Sequence, residues 1–73
     1  MAARIIRSTM AGTIARLEVA SGAAVAKEQP LLYLEVMKME IAVEAPAAGR
    51  VATVHVAAGD LVDEGQVLFT LEV

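Results

Sequence analysis

The hexapeptide Glu35-Val36-Met37-Lys38-Met39-Glu40 is the stretch of this 73-residue chain whose residue types and spacing could do chemistry. Lys38 stands between two methionines, with Glu35 and Glu40 further out on either side. A lysine amine is a nucleophile only when neutral, and free lysine is mostly protonated at pH 7. A lysine that is to be acylated must therefore be received and deprotonated by a partner. The rest of the chain offers little competition. There is no cysteine, so no disulfide and no thiolate metal site is available. His55 is the sole histidine, and it falls on the polar side of an alternating segment. One histidine without a partner makes no metal site, and we read it as a solvated residue. Lys27 lies in a turn-like segment and is read as solvated rather than as a second acceptor. No acid–base pair, nucleophile triad or phosphate loop is present, so no catalytic residue and no metal ligand is assigned.

The elements that must position Lys38 emerge from an internal repeat. Displaced by 37 residues, "AGTIARLEVASGAAVAKEQPLLYLEV" (11–36) lies over "AGRVATVHVAAGDLVDEGQVLFTLEV" (48–73) without a gap. Twelve of the 26 pairs are identical, among them Gly12/Gly49, Gly22/Gly59, Gln29/Gln66 and the shared Leu-Glu-Val ending. Two copies are too few for a solenoid. Two halves related by a pseudo-two-fold axis, each covering the other's apolar face, are the natural product.

Within each copy the period is two. Ala15, Leu17 and Val19 alternate with Arg16 and Glu18, and Ala52, Val54 and Val56 alternate with Thr53 and His55. Leu32, Leu34 and Val36, then Ile41 and Val43, then Phe69, Leu71 and Val73 repeat the pattern. One apolar face at period two is a half-buried strand. No segment reads as a helix. Gly22 and Gly59 are expected at backbone angles that a Cβ resists. Glu64-Gly65-Gln66 reads as a turn, and the first copy has Glu28 where Gly65 stands, so that turn is expected to differ. Pro46 ends a strand. The fold expected is all-β: a flattened antiparallel barrel or sandwich of two roughly four-stranded sheets, over residues 1–73 as one domain. Lys38 then falls on a tight hairpin. Met-Lys-Met is a poor turn sequence, because two-residue hairpins favour Asn, Asp and Gly at positive φ. Local rules tend to be broken where a site is built. The plain alternative is that Met37 and Met39 tuck back on the sheet and Lys38 is an ordinary solvated turn residue.

Composition narrows the function class. The chain is 58% hydrophobic, mostly Ala and Val, with a single Tyr and a single Phe. Small side chains suit a thin core between two sheets. The net charge is −3 with acids spread along the chain, so there is no basic patch or aromatic platform for nucleic acid. No uncharged apolar run approaches the roughly 18 residues of a membrane span. Arg4 and Arg7 ahead of "STMAGTIA" imitate a short secretion signal, but Arg16 and Glu18 follow and the repeat draws this segment into the fold. The lack of cysteine fits the reducing cytoplasm.

The hexapeptide resembles the biotin attachment motif, in which a lysine between two methionines is modified. "MAGTI", the Val19–Gly22 turn, "LLYLEVMKMEI", "EAPAAGRV" and "VAAGDLVDEGQVL" extend the similarity over nearly the whole chain, to a biotinyl domain of the biotin carboxyl carrier family. In the related lipoyl domains the lysine is typically flanked by Asp and Ala. Departures are Val36, where the family usually has Ala or Ser, Ala11, where it has Pro, and Glu28, where a turn glycine is common. The inserted thumb of the bacterial acetyl-CoA carboxylase carrier would fall between Arg16 and Ser21, where the link is too short to hold it. The chain is thus similar to thumbless carriers, such as those of pyruvate carboxylase, oxaloacetate decarboxylase or propionyl-CoA carboxylase, or to a free-standing biotinyl protein.

The resemblance implies that a biotin protein ligase joins biotin to Lys38 as an amide, with Met37 and Met39 as flanking motif residues. The arm would carry a carboxyl group between biotin carboxylase and carboxyltransferase partners. The cofactor reacts and the protein positions it, so the domain is a carrier and not an enzyme. Tethering raises the effective concentration of the group at the second site. Glu35 and Glu40 are candidate ligase-recognition residues, with ordinary strand-surface acids as the alternative. A monomer in isolation is expected. Two competing functions remain: a lipoyl arm on the same fold, and an unmodified interaction module. The acceptor substrate is not named by any residue.

Overall fold

The computed structural model describes residues 2–73. Eight strands follow one another: β1 Ala3–Arg7, β2 Gly12–Leu17, β3 Ala24–Val25, β4 Pro30–Val36, β5 Met39–Glu44, β6 Gly49–Val54, β7 Leu61–Val62 and β8 Val67–Glu72. They form two four-stranded antiparallel sheets, ordered β1-β8-β6-β3 and β5-β4-β2-β7. The all-β sandwich read from the period-two pattern is the observed architecture.

The two halves of the repeat do not each form a sheet. The first sheet takes β1 and β3 from the first half and β6 and β8 from the second, and the other sheet does the reverse. The 37-residue offset carries one sheet onto the other strand for strand. Ala3 opposite Glu72 maps to Glu40 opposite Glu35, and Ile5 opposite Thr70 maps to Ala42 opposite Tyr33. The symmetry extends to β1, which corresponds to β5, although the two segments share no identical residue. β1 was not among the strands expected from alternation.

The core sits between the sheets. Phe69, Ile14, Leu31, Leu32, Leu34, Leu68, Leu71 and Val51 are its largest fully buried side chains. Each buried leucine contributes roughly 1.5–3 kcal/mol relative to exposure. Strict alternation misplaced part of this set. It put Ala15 inward and Ile14 outward, but Ile14 is 1% exposed. The reason is a β-bulge. Ile14 pairs with Leu34 and Arg16 with Tyr33, leaving Ala15 as an extra residue. Ala52 is the extra residue at the equivalent place in β6. An extra residue resets the in–out phase. Ile14 and Leu17 both turn toward the core, as do Val51 and Val54. Leu31 and Leu68 are likewise the extra residues opposite β5 and β1, which lets the adjacent pairs Leu31-Leu32 and Leu68-Phe69 all be buried.

The turns obey the repeat more closely than the sequence does. Gly22 and Gly59 adopt φ of 92° and 93°, as expected. Gly65 adopts φ 86°, and Glu28, its partner in the repeat, adopts φ 71°. The expectation that the Glu28 turn differs is thus not met. The two turns are held by the same bonds: Glu28 N donates to Ala45 O and Gly65 N to Ser8 O, each at 2.7 Å. The Gln29 side-chain oxygen accepts from Ala26 N and that of Gln66 from Asp63 N, each at 3.0 Å. That bond explains why Gln recurs in both halves.

Candidate functional site

Val36 pairs with Met39 as the last rung of the β4–β5 ladder, so Met37 and Lys38 alone make the turn. Their φ values are 51° and 67°. Positive φ at both corners is the signature of a type I′ turn, whose twist matches that of the flanking strands. Neither residue is one that favours this region, where side chains other than Gly, Asn and Asp are strained. The hairpin is held from below. Val36 packs against the core, and the β4–β5 ladder runs from Pro30–Glu44 to the tip.

The strain coincides with exposure. Met37 is 91% exposed and Met39 65%. Neither tucks back on the sheet. Lys38 is exposed between them. Lys27 is also exposed, in the β3–β4 turn, so exposure alone does not distinguish the two lysines; the two-residue hairpin with positive φ at both corners, which only Lys38 occupies, does.

Below the turn, Glu35 and Glu40 are direct neighbours across the ladder, and Thr13 flanks Glu35 on the other side. Glu40 Oε1 accepts from Arg16 Nη1 at 3.2 Å. Arg16 also approaches Glu18 at 3.8 Å, and its guanidinium lies 4.3 Å above the Tyr33 ring. The Arg16–Tyr33–Glu40 arrangement was not foreseen. It depends on the Ala15 bulge, which sets Arg16 opposite Tyr33. Exposed ion pairs of this kind contribute about 0.2–1 kcal/mol. Among the described residues, Glu35 has no ion pair.

Gly12 fits tightly beside the hairpin root: an added Cβ would lie 2.7 Å from Glu35 O and 2.9 Å from Val36 Cγ2. The position equivalent to the Val36–Met39 rung in the other sheet is Ala2 with Val73, which exchange backbone hydrogen bonds of 3.0 and 2.9 Å. β1 runs from that pair toward Gly12, and Gly12 abuts Val36. The turn thus lies at the far end of β1 from the Ala2–Val73 pair, along a molecule of 36 × 18 × 17 Å.

Other features lie apart from the turn. A cleft of about 340 Å³ opens between β1 and β5, lined by Ile5, Ile6, Ile41, Val43 and neighbours, with Leu34 among its walls. It does not include Lys38. It joins the edge strands that the pseudo-symmetry relates. His55 Nε2 is 2.9 Å from Thr70 Oγ1 on the exposed face of the other sheet. Among the described residues no three His, Cys, Asp or Glu side chains gather as a metal site. No helix among them is long and apolar enough to cross a membrane.

The β4–β5 hairpin presents the Lys38 amine on an exposed two-residue turn, with no carboxylate paired to it among the described residues. Such an amine suits a group joined through a carboxyl carbon as an amide. Comparisons with known proteins identify the family. The protein-family model described as "Biotin-requiring enzyme" matches residues 4–71. The biotin carboxyl carrier protein of Streptococcus mutans is 41% identical over 70 residues, which are 96% of this chain and 54% of that protein. The human mitochondrial propionyl-CoA carboxylase alpha chain is 41% identical over 68 residues, 93% of this chain but 9% of that one. The chain therefore spans about half of the first relative and a small part of the second. Among solved structures, a single-chain, multi-domain long-chain acyl-CoA carboxylase superposes with TM-score 0.90 at 32% identity, over 94% of this chain and 7% of that one. The lipoyl domain of the 2-oxoglutarate dehydrogenase complex from Azotobacter vinelandii superposes with TM-score 0.75 at 31% identity, over 85% of this chain and 78% of that domain. The chain belongs to the biotin/lipoyl attachment domain family.

Proposed function

We propose that Lys38 is the attachment point and that a biotin protein ligase joins biotin to its Nζ as an amide. Residues 1–73 then act as one attachment domain, monomeric by itself and working in the cytoplasm with biotin carboxylase and carboxyltransferase partners. The observation that carries this reading is the type I′ turn with Met37 and Lys38 at its two corners. That turn commits both side chains to solvent at the tip of a rigid hairpin, where a ligase cleft can receive the amine. In the attachment step Nζ attacks the activated carboxyl carbon, the bond to the leaving adenylate breaks and the amine loses a proton. When bound, biotin supplies a ureido nitrogen that accepts and releases a carboxyl group. The chain's own residues do the rest. Val36 anchors the hairpin in the core, Met37 and Met39 flank the amine, and Glu35 and Glu40 are the candidate ligase-recognition residues.

A lipoyl arm is the second reading, favoured by the superposition on a lipoyl domain. The Met37 and Met39 flanks distinguish the two. The test is the intact mass after co-expression with a biotin ligase and free biotin, followed by peptide mapping. One biotin on Lys38, and none on a Lys38→Ala variant with an unchanged melting curve, is expected. Biotin retained by Lys38→Ala overturns the site assignment. Reactivity to an anti-lipoyl antibody without streptavidin binding selects the lipoyl reading.

A further inference from the structure

The proposed attachment places an amine between two thioethers that the fold cannot shelter. Methionine is ordinarily a core residue. Here Met37 is 91% and Met39 65% exposed. The cause is geometric. Met37 occupies the first corner of a type I′ turn at φ 51°, outside the last rung of the ladder, Val36–Met39. Met39 is the first residue of β5 and pairs with Val36, beyond the last buried residue of β4, Leu34. Met10 differs: it is 36% exposed, and its carbonyl accepts a 2.6 Å hydrogen bond from Ser8 Oγ.

We propose that Met37 and Met39 form an oxidation site through which peroxide controls the modification of Lys38. The inference rests on the attachment reading above. A thioether sulfur donates an electron pair to one peroxide oxygen, the O–O bond breaks, and the products are a sulfoxide and water. The sulfur is oxidised by two electrons and the peroxide is reduced. The sulfoxide is polar and chiral where the thioether was apolar and pliable, and enzymatic reduction reverses the change. Lys38 cannot enter an active site without Met37 and Met39 entering beside it, because the turn has only two residues and Met39 directly follows it. A sulfoxide buried there without a hydrogen-bond partner opposes binding. The ligase therefore meets a reduced hairpin well and an oxidised one poorly.

The experiment uses the unmodified chain, limiting hydrogen peroxide, and a biotin ligase with biotin and ATP. Peptide mapping is expected to show Met37 and Met39 oxidised ahead of Met10. The rate of biotin incorporation is expected to fall about tenfold in the oxidised protein, and to recover after treatment with both methionine sulfoxide reductases. A Met37→Leu, Met39→Leu variant should lose peroxide sensitivity relative to its own untreated rate, whereas Met10→Leu should retain it. Oxidised and reduced proteins modified at equal rates overturn the inference while leaving the attachment reading intact. Oxidation of Met10 ahead of Met37 overturns the site. An untreated protein that takes no biotin on Lys38 overturns the attachment reading, and the inference with it.

Discussion

Glu35 stands directly opposite Glu40 across the β4–β5 ladder, and among the described residues only Glu40 of the two meets a cation, the Arg16 guanidinium at 3.2 Å. Like charges facing each other across a ladder oppose sheet formation. Glu35→Gln is expected to raise stability by about 0.2–1 kcal/mol, a gain that shrinks as salt screens the pair. Thermal melts at low and high salt check the first part. The ligase rate of the same variant checks the second. A slower rate in a more stable protein identifies Glu35 as a recognition residue, and an unchanged rate identifies it as an ordinary strand acid.

Glu28 adopts the left-handed geometry that Gly65 adopts in the other half. A side chain there costs about 1–2 kcal/mol, partly offset by the greater chain entropy of glycine. Glu28→Gly is expected to stabilise the protein by about 0.5–1 kcal/mol, or several degrees in Tm for a domain of this size. A melt that falls instead would show that Glu28 makes a contact worth more than its strain.

Gly12 touches the Glu35 carbonyl, and Gly49, its repeat partner, touches the Glu72 carbonyl. Gly12→Ala must push the end of β4 outward and is expected to cost about 1–3 kcal/mol, as overpacking does. Gly49→Ala should cost at least as much. The useful contrast is in function. Gly12→Ala displaces the root of the Lys38 hairpin and should slow biotin incorporation, whereas Gly49→Ala acts at the Ala2–Val73 end and should not. Chemical denaturation and ligase kinetics on both variants test this.

Leu34 and Leu71 are repeat partners, 1% and 0% exposed. Leu34→Ala and Leu71→Ala are each expected to cost about 2–5 kcal/mol through lost burial and a residual cavity. Urea titrations should show comparable losses. Two very different values would mean that the halves of the core relax unequally despite their shared register.

Much of this molecule is determined by the sequence alone. Period-two alternation marks β2, β4, β5, β6 and β8, because a strand with one buried face must alternate. The 37-residue repeat implies two equivalent halves, and the Met37-Lys38-Met39 triplet marks the candidate site on a hairpin. Tertiary structure decided the rest. It decided that strands exchange between halves, because each sheet closes only by borrowing from the other. β1 escaped the repeat because Ala3–Arg7 shares no residue with its structural partner. What it shares is a place beside β8, which only pairing reveals. The bulges at Ala15 and Ala52 were likewise invisible, since an extra residue leaves no compositional mark and declares itself only as a slip in register. The three positive φ values at Glu28, Met37 and Lys38 run against local preference. They are imposed from outside, by the Glu28–Ala45 hydrogen bond in one turn and by the Val36–Met39 rung in the other. Local propensity is worth about a kilocalorie per mole per residue, and ladders anchored in a buried core outweigh it.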